Sequence, residues 1–374
     1  MTDKELREIR RRFRPEKNNI LSIRGCLVND QRAIVSVFNQ PMASCSVEEG
    51  EKLLGIMKKS LSGSLGTNLL DLEFSARQAM EGEPHHLLMA LRDSGLKDEG
   101  AVNEFYRRVI ENVRIEGSFA ILLASETYDV FSYSEDGEKG GSSEMFSYFV
   151  CAVCPVKPLN AGLYFREYDN SFRSIDAHAM LWAPEMGFMF PSFDDRAANL
   201  YSTLYYTRNI FDVHPEFVQA IFGLEPPLSA GQKKDSFDNC LKETLEDDCD
   251  FEVVRSVHEQ ISEMVREHKE TKQEEPLKLS KNSFKTVLEY CGVDGKRVEN
   301  FTERFEEQFG KNAEVAPKAI VDVKKFEMNT PDISIKVNPE RTDLVSTQII
   351  NGVRYILIRA NEGVEVNGVN IDIK

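Results

Sequence analysis

The sequence predicts an α+β protein: a larger N-terminal domain of mixed sheet and helices, then a small C-terminal domain made of a helix pair and β-hairpins. Three observations carry this. Strand-like apolar runs alternate with helical stripes over the first 190 residues, residues 251–268 form one long amphipathic stripe, and two Asn-Gly pairs interrupt apolar alternation near the end. With 374 residues, 41% of them hydrophobic, the chain can bury cores of two-domain size.

Residues 3–13 read as a helix stopped by Pro15, with Leu6, Ile9 and Phe13 on one side and arginines around the rest. The runs ILSIRGCLV and AIVSVFN flank Asn29-Asp30 and read as two strands about a turn. Ser46, with Glu49 three residues later, has the spacing of a capping box and opens a helix through Leu61. NLLDLEF alternates as a strand, and the stretches 87–91 and 102–113 have helical apolar spacing. Two strands follow, SFAILLAS and MFSYFVCAV, around a polar, glycine-rich loop at 134–143 that is expected to be mobile. AGLYFREY is a further strand. After it the expected helices are 196–207, 215–222, 233–245 and 251–268.

The charged, apolar-poor run 268–283 marks the expected boundary. The domains are thus 1–270, with a basic helix at 1–17, sheet and helices over 18–190 and a helical segment at 191–270; a linker at 271–280; and a small α+β domain at 281–374. In the last, helices at 284–290 and 297–309 precede strands. Asn351-Gly352 and Asn367-Gly368 tolerate the positive φ angles of type I′ turns, so two consecutive hairpins are expected.

Net charge is −16, unevenly spread. Residues 277–374 hold fifteen basic and fifteen acidic side chains, and residues 1–17 hold seven basic against four acidic, so 18–276 carries −19. Such a surface repels phosphate backbones and anionic membranes unless one patch is locally basic. Arg7, Arg10, Arg11, Arg12, Arg14 and Lys17 are the concentrated source of such a patch. The N-terminal residues lack the apolar core of a signal peptide, and no run is long and apolar enough to span a bilayer, so a cytoplasmic protein without a membrane partner is expected.

FVCAVCPV, at 149–156, has the Cys-x-x-Cys spacing of redox and zinc sites. In a strand, however, Cys151 and Cys154 point to opposite faces and cannot bridge or share a metal. Pro155 and Pro158 leave no room for the helix that activates a redox pair, and no second ligand pair exists for zinc, so a buried strand is expected. HEQIS at 258 lacks the second histidine of a zinc helix, because residue 262 is Ser. SLSGSLGTN at 60–68 lies between a helix and a strand, the wrong order for a phosphate loop, and reads as a helix end and turn. Neither a metal nor a cofactor is expected.

The densest polar and aromatic cluster is GFMFPSFDDRAANLYSTLYYTRN, 187–209. Asp194 and Asp195 sit at an expected helix start, where carboxylates cap free N–H groups. The functional reading is an enzyme site floored by Phe190, Phe193, Tyr201, Tyr205 and Tyr206, with Glu185, Asp194, Asp195, Arg196 and Arg208 as polar members.

IRRRFRPEKNNI, LLMALRDSGLKDE, the 187–209 cluster and the tail IKVNPERTDLVSTQIINGVRYILIRANEGVEVNGVNI resemble an uncharacterised Firmicutes family, domain of unknown function forty-three seventeen. That resemblance spans nearly the whole chain and implies a bacterial cytosolic protein with no assigned catalytic residues. The order of an apolar strand pair (EGSFAILLASETYDV, SYFVCAVCPVK), a helical middle and a β-rich tail is also similar to the bacterial 37-kDa nucleoid-associated proteins. The leading expectation is a non-enzymatic binding protein that takes nucleic acid through the basic helix. The alternatives are an enzyme using the 185–208 cluster, or a module whose neutral C-terminal hairpins meet a protein partner or a second copy.

Overall fold

The computed structural model describes residues 1–374 apart from 134–138, 160–161, 176–177, 247–248, 272–276, 324, 361–362 and 372–374. It forms two compact units, Met1–Gly231 and Gln232–Lys374.

The first unit begins with helix α1 (Asp3–Arg12), strands β1 (Ser22–Val28) and β2 (Ile34–Pro41), helix α2 (Val47–Lys59) and strand β3 (Leu69–Glu73). Three helices follow, α3 (Ala76–Glu81), α4 (Glu83–Asp93) and α5 (Glu99–Asn112). Next come the long strands β4 (Ser118–Tyr133) and β5 (Lys139–Leu159). After these are β6 (Gly162–Arg166), β7 (Ser171–Ile175), β8 (His178–Leu181) and β9 (Met186–Phe190). The unit closes with β10 (Ser192–Asp194), β11 (Ala197–Asn199), β12 (Ser202–Thr207) and α6 (Pro215–Phe222).

One antiparallel sheet organises this unit, in the order β2-β1-β4-β5-β9-β12-β3, with β8 added along the far end of β5. Helices cover both faces of the central strands. On one face Leu88, Leu91, Phe105, Tyr106, Phe217 and Phe222 of α4, α5 and α6 pack on Cys151, Phe188 and Tyr205. On the other, Leu6 and Ile9 of α1 with Leu54 and Met57 of α2 pack on Val150, Cys154, Leu204 and Phe193. Two layers of core explain why β9 and β12 are buried along their whole length rather than alternating.

The expected helix at 196–207 is instead β11 and β12. Ser202, Thr203, Tyr205, Tyr206 and Thr207 are β-branched, aromatic or small. A strand bonded to β9 and β3 on its two sides satisfies their backbone where a helix would not. The expected loop at 134–143 is shorter: β5 already starts at Lys139, and residues 134–138 lie outside the described ones.

The second unit holds α7 (Ala230–Leu245), α8 (Phe251–Glu270), β13 (Leu279–Ser280), α9 (Lys281–Tyr290) and α10 (Gly295–Phe309). Then come β14 (Glu314–Val315), α11 (Pro317–Ile320), β15 (Phe326–Asn329) and β16 (Ser334–Val337). The last elements are β17 (Val345–Ile350), β18 (Val353–Ile358), β19 (Val364–Val366) and β20 (Val369–Ile371). The helices expected to close the first domain group here, so the division falls after Gly231 rather than across 271–280. Their apolar faces are the reason: Phe237 of α7 lies 5.2 Å from the Phe284 ring of α9 and 5.9 Å from Phe301 of α10, and Val257, Ile261 and Val265 of α8 are buried. Both Asn-Gly pairs make the expected turns, with φ of 52° and 78° at 351–352 and 50° and 85° at 367–368.

Among the described residues no helix is long and apolar enough to cross a membrane.

Candidate nucleic-acid interface

Helix α1 is specified locally at its start. Glu5 N–H donates to the Thr2 hydroxyl at 3.3 Å while Thr2 N–H donates to Glu5 Oε2 at 2.7 Å, a closed capping box. Asp3 and Glu5 in the first turn and Arg10, Arg11 and Arg12 in the last match the helix dipole. Leu6, Ile9 and Phe13 are buried against the sheet, which sets the rotation of the helix and therefore the fate of each basic side chain.

Two arginines serve the docking. Arg10 donates to the Leu61 carbonyl at 2.6 Å and the Gly63 carbonyl at 2.8 Å. Arg12 donates to Glu126 Oε1 from Nε at 3.1 Å and from Nη2 at 2.5 Å, with its guanidinium 4.6 Å from the centre of the Tyr128 ring. Glu126 is buried and takes two more hydrogen bonds, from Asn19 N–H at 2.8 Å and from the Tyr148 hydroxyl. Burial, then the adjacent Glu126 carboxylate, push the Tyr148 pKa well up, so this hydroxyl remains a donor.

Arg7, Arg11, Arg14 and Lys17 are exposed. Arg7 donates only to the Asp3 carbonyl, at 3.0 Å, and among the described residues Arg11, Arg14 and Lys17 have no side-chain partner. Positions 7 and 11 are four residues apart on one side of α1, with Cβ atoms about 5–6 Å apart. Arg14 and Lys17 follow in the turn after α1, where the Lys17 N–H bonds to the Arg14 carbonyl at 3.0 Å. Of the six basic residues singled out from the sequence, four face solvent and two are committed to the fold.

The acidic cluster meets the same helix from below. Asp194 ends β10 and accepts from the Met1 α-ammonium and, at 2.8 Å, from Asn199 Nδ2. Asp195 and Arg196 cap no helix: they are the two central residues of the tight turn between β10 and β11, with φ of 50° and 57°. This left-handed conformation is uncommon for arginine and is secured by α1. Arg196 N–H donates to Glu5 Oε1 at 3.1 Å and its Nη2 to Glu8 Oε1 at 3.0 Å, and the Tyr128 hydroxyl reaches the same Glu8 oxygen at 2.6 Å. Burial, then the hydrogen bond to Glu8, push the Tyr128 hydroxyl up to about 12, so it donates throughout the physiological range.

Glu185 and Arg208 pair with each other at 3.7 Å, away from Asp194. The aromatic floor is divided as well: Phe190 and Tyr205 belong to one core, Phe193 and Tyr206 to the other, and Tyr201 is exposed. The 185–208 residues therefore do not share one pocket, because a sheet runs between them. Glu8, Glu126, Tyr128 and Tyr148, which hold the helix in place, carried no signal in the sequence; the first three each sit more than a hundred residues from a partner, Tyr148 sits 22 residues from Glu126, and nothing local betrays such pairs.

Cys151 and Cys154 lie on β5 and face opposite cores. Burial pushes the Cys154 thiol up to about 12 and Cys151 well above its ordinary value. At pH 8 a thiol of pKa 12 is ionised to roughly one part in ten thousand, and neither sulfur is open to reagent. Iodoacetamide is expected to leave both unlabelled in the native protein and to label them after denaturation, as read by peptide mass spectrometry. Rapid native labelling would contradict the buried strand.

An antiparallel sheet sandwiched by helices, with a salt-bridged N-terminal helix presenting basic side chains and a separate α+β unit behind it in sequence, defines a two-unit α+β protein. The chain belongs to the family described as Domain of unknown function (DUF4317), whose model matches residues 1–369. A search of the curated proteins finds no match.

Proposed function

We propose that the protein is a binding protein that engages nucleic acid, in a nucleoid-associated role, through Arg7, Arg11, Arg14 and Lys17. The observation that carries this reading is the sorting of charge on α1. Arg10 and Arg12 turn inward to hold the helix, while the other four face solvent on a chain whose net charge is −16. A rigidly docked helix presents its cations without first ordering a disordered segment, which lowers the entropic cost of phosphate contact. The anionic remainder keeps the duplex on that one face and discourages general adsorption.

Four phosphate contacts on duplex DNA imply a slope of log affinity on log salt near −3.6, so binding should fall roughly a hundredfold between 50 and 200 mM salt. Fluorescence anisotropy with a labelled duplex tests this. The variant Arg7→Ala/Arg11→Ala/Arg14→Ala/Lys17→Ala is expected to lose both the affinity and the slope, with its circular dichroism unchanged because all four side chains are exposed. No binding at low salt, or binding that the variant retains, would end this reading.

A further inference from the structure

The hairpin of β17 and β18 departs from the usual logic of antiparallel strands. Cross-strand pairing puts Ile350, Val353, Tyr355 and Leu357 on one face and Ile349, Ile356 and Ile358 on the other. An antiparallel hairpin on a surface ordinarily keeps one polar face, yet here both are apolar and every residue from Ser346 to Ile350 and Val353 to Ile358 is exposed. Ile349 and Ile358 reach 68% and 58% exposure. A two-stranded ribbon in that state is marginally stable in water.

The edge of β18 is open as well. β17 and β18 form a sheet of two strands among the described residues, and the β18 sequence VRYILI has no proline or lysine and a single charge, Arg354. Those are the features that natural edges use to prevent pairing, and they are missing here. The β17 edge differs, since Ser346, Thr347 and Gln348 interrupt it.

We infer that β18 pairs antiparallel with β18 of a second copy of this chain, joining two hairpins into a four-stranded sheet. Two observations favour a second copy over another partner. The strand is complementary to itself: a twofold axis through Ile356 sets Ile356 opposite its own copy, Tyr355 opposite Leu357 and Arg354 opposite Ile358, so each residue meets one of its own face and the two arginines never face each other. Charge agrees, because residues 277–374 are balanced at fifteen basic and fifteen acidic side chains and let two chains of net −16 meet at a neutral surface.

Sedimentation velocity of the full chain over a wide concentration range tests the inference. A concentration-dependent dimer is expected. Ile356→Lys and, independently, Tyr355→Glu should each give a monomer with an unchanged far-ultraviolet spectrum, since both side chains are exposed in the single chain. Ile349→Lys, on the strand away from the new pairing, should remain dimeric. A wild type that stays monomeric at its highest attainable concentration overturns the inference. So does a dimer that survives both β18 substitutions, or one that Ile349→Lys dissociates equally well.

Discussion

Glu126→Ala is expected to destabilise the N-terminal unit by about 3–5 kcal/mol, the range for removing one member of a buried, hydrogen-bonded ion pair. The carboxylate is 3% exposed and holds three donors: the Arg12 guanidinium, the Asn19 N–H and the Tyr148 hydroxyl. Alanine removes the acceptor for all three and leaves a cation and a buried phenol without partners, so the loss exceeds that of an ordinary hydrogen bond. Urea unfolding followed by circular dichroism gives the magnitude. Because Arg12 belongs to α1, the same variant should expose the N-terminal arginines to trypsin well before the sheet is cleaved. Arg12→Met/Glu126→Leu, which removes both charges, should recover part of the loss. A change below about 1 kcal/mol for Glu126→Ala would show that the pair is no more than a surface contact.

Phe188→Ala should cost a similar 3–5 kcal/mol by a different mechanism, the cavity left in a close-packed core. Its ring is fully buried at the middle of β9, 5.0 Å from Phe222, 5.6 Å from Phe149, 6.0 Å from Phe105 and 6.4 Å from Phe217. Those four rings come from α6, β5, α5 and α6 again, so their collapse into the void would require shifting both helices relative to the sheet. Leu163→Ala on β6, 73% exposed, should change stability by no more than about 0.5 kcal/mol and calibrates the measurement. Equal effects of the two substitutions would contradict the placement of the core.

The legible parts of this protein are those with short-range causes. The capping box at Ser46 closes over three residues, and the Asn-Gly turns at 351 and 367 need only two positive φ angles. The opposite facing of Cys151 and Cys154 follows from the period of a strand alone. FVCAVCPV is therefore a core strand that its own geometry reveals. The segment 196–207 was not legible for the converse reason. A strand buried on both faces loses its alternation, and RAANLYSTLYYT then offers apolar spacing that fits a helix as well as a strand. Only the ladders to β3 and β9 decide between them.

The candidate interface divides along the same line. Its six basic residues, their concentration in the first 17 positions and their contrast with the acidic remainder can be read from composition. Which of them remain available cannot, because that depends on Leu61, Gly63 and Glu126, between 51 and 114 residues away. A still longer separation, 191 residues, lies between Arg196 and Glu5 and hides the fact that the acidic cluster anchors a helix instead of lining a pocket. Local hydrogen bonding and charge write the elements and the supply of cations into the chain. Long-range pairing, which exists only once the sheet has assembled, assigns each cation either to the interior or to the surface.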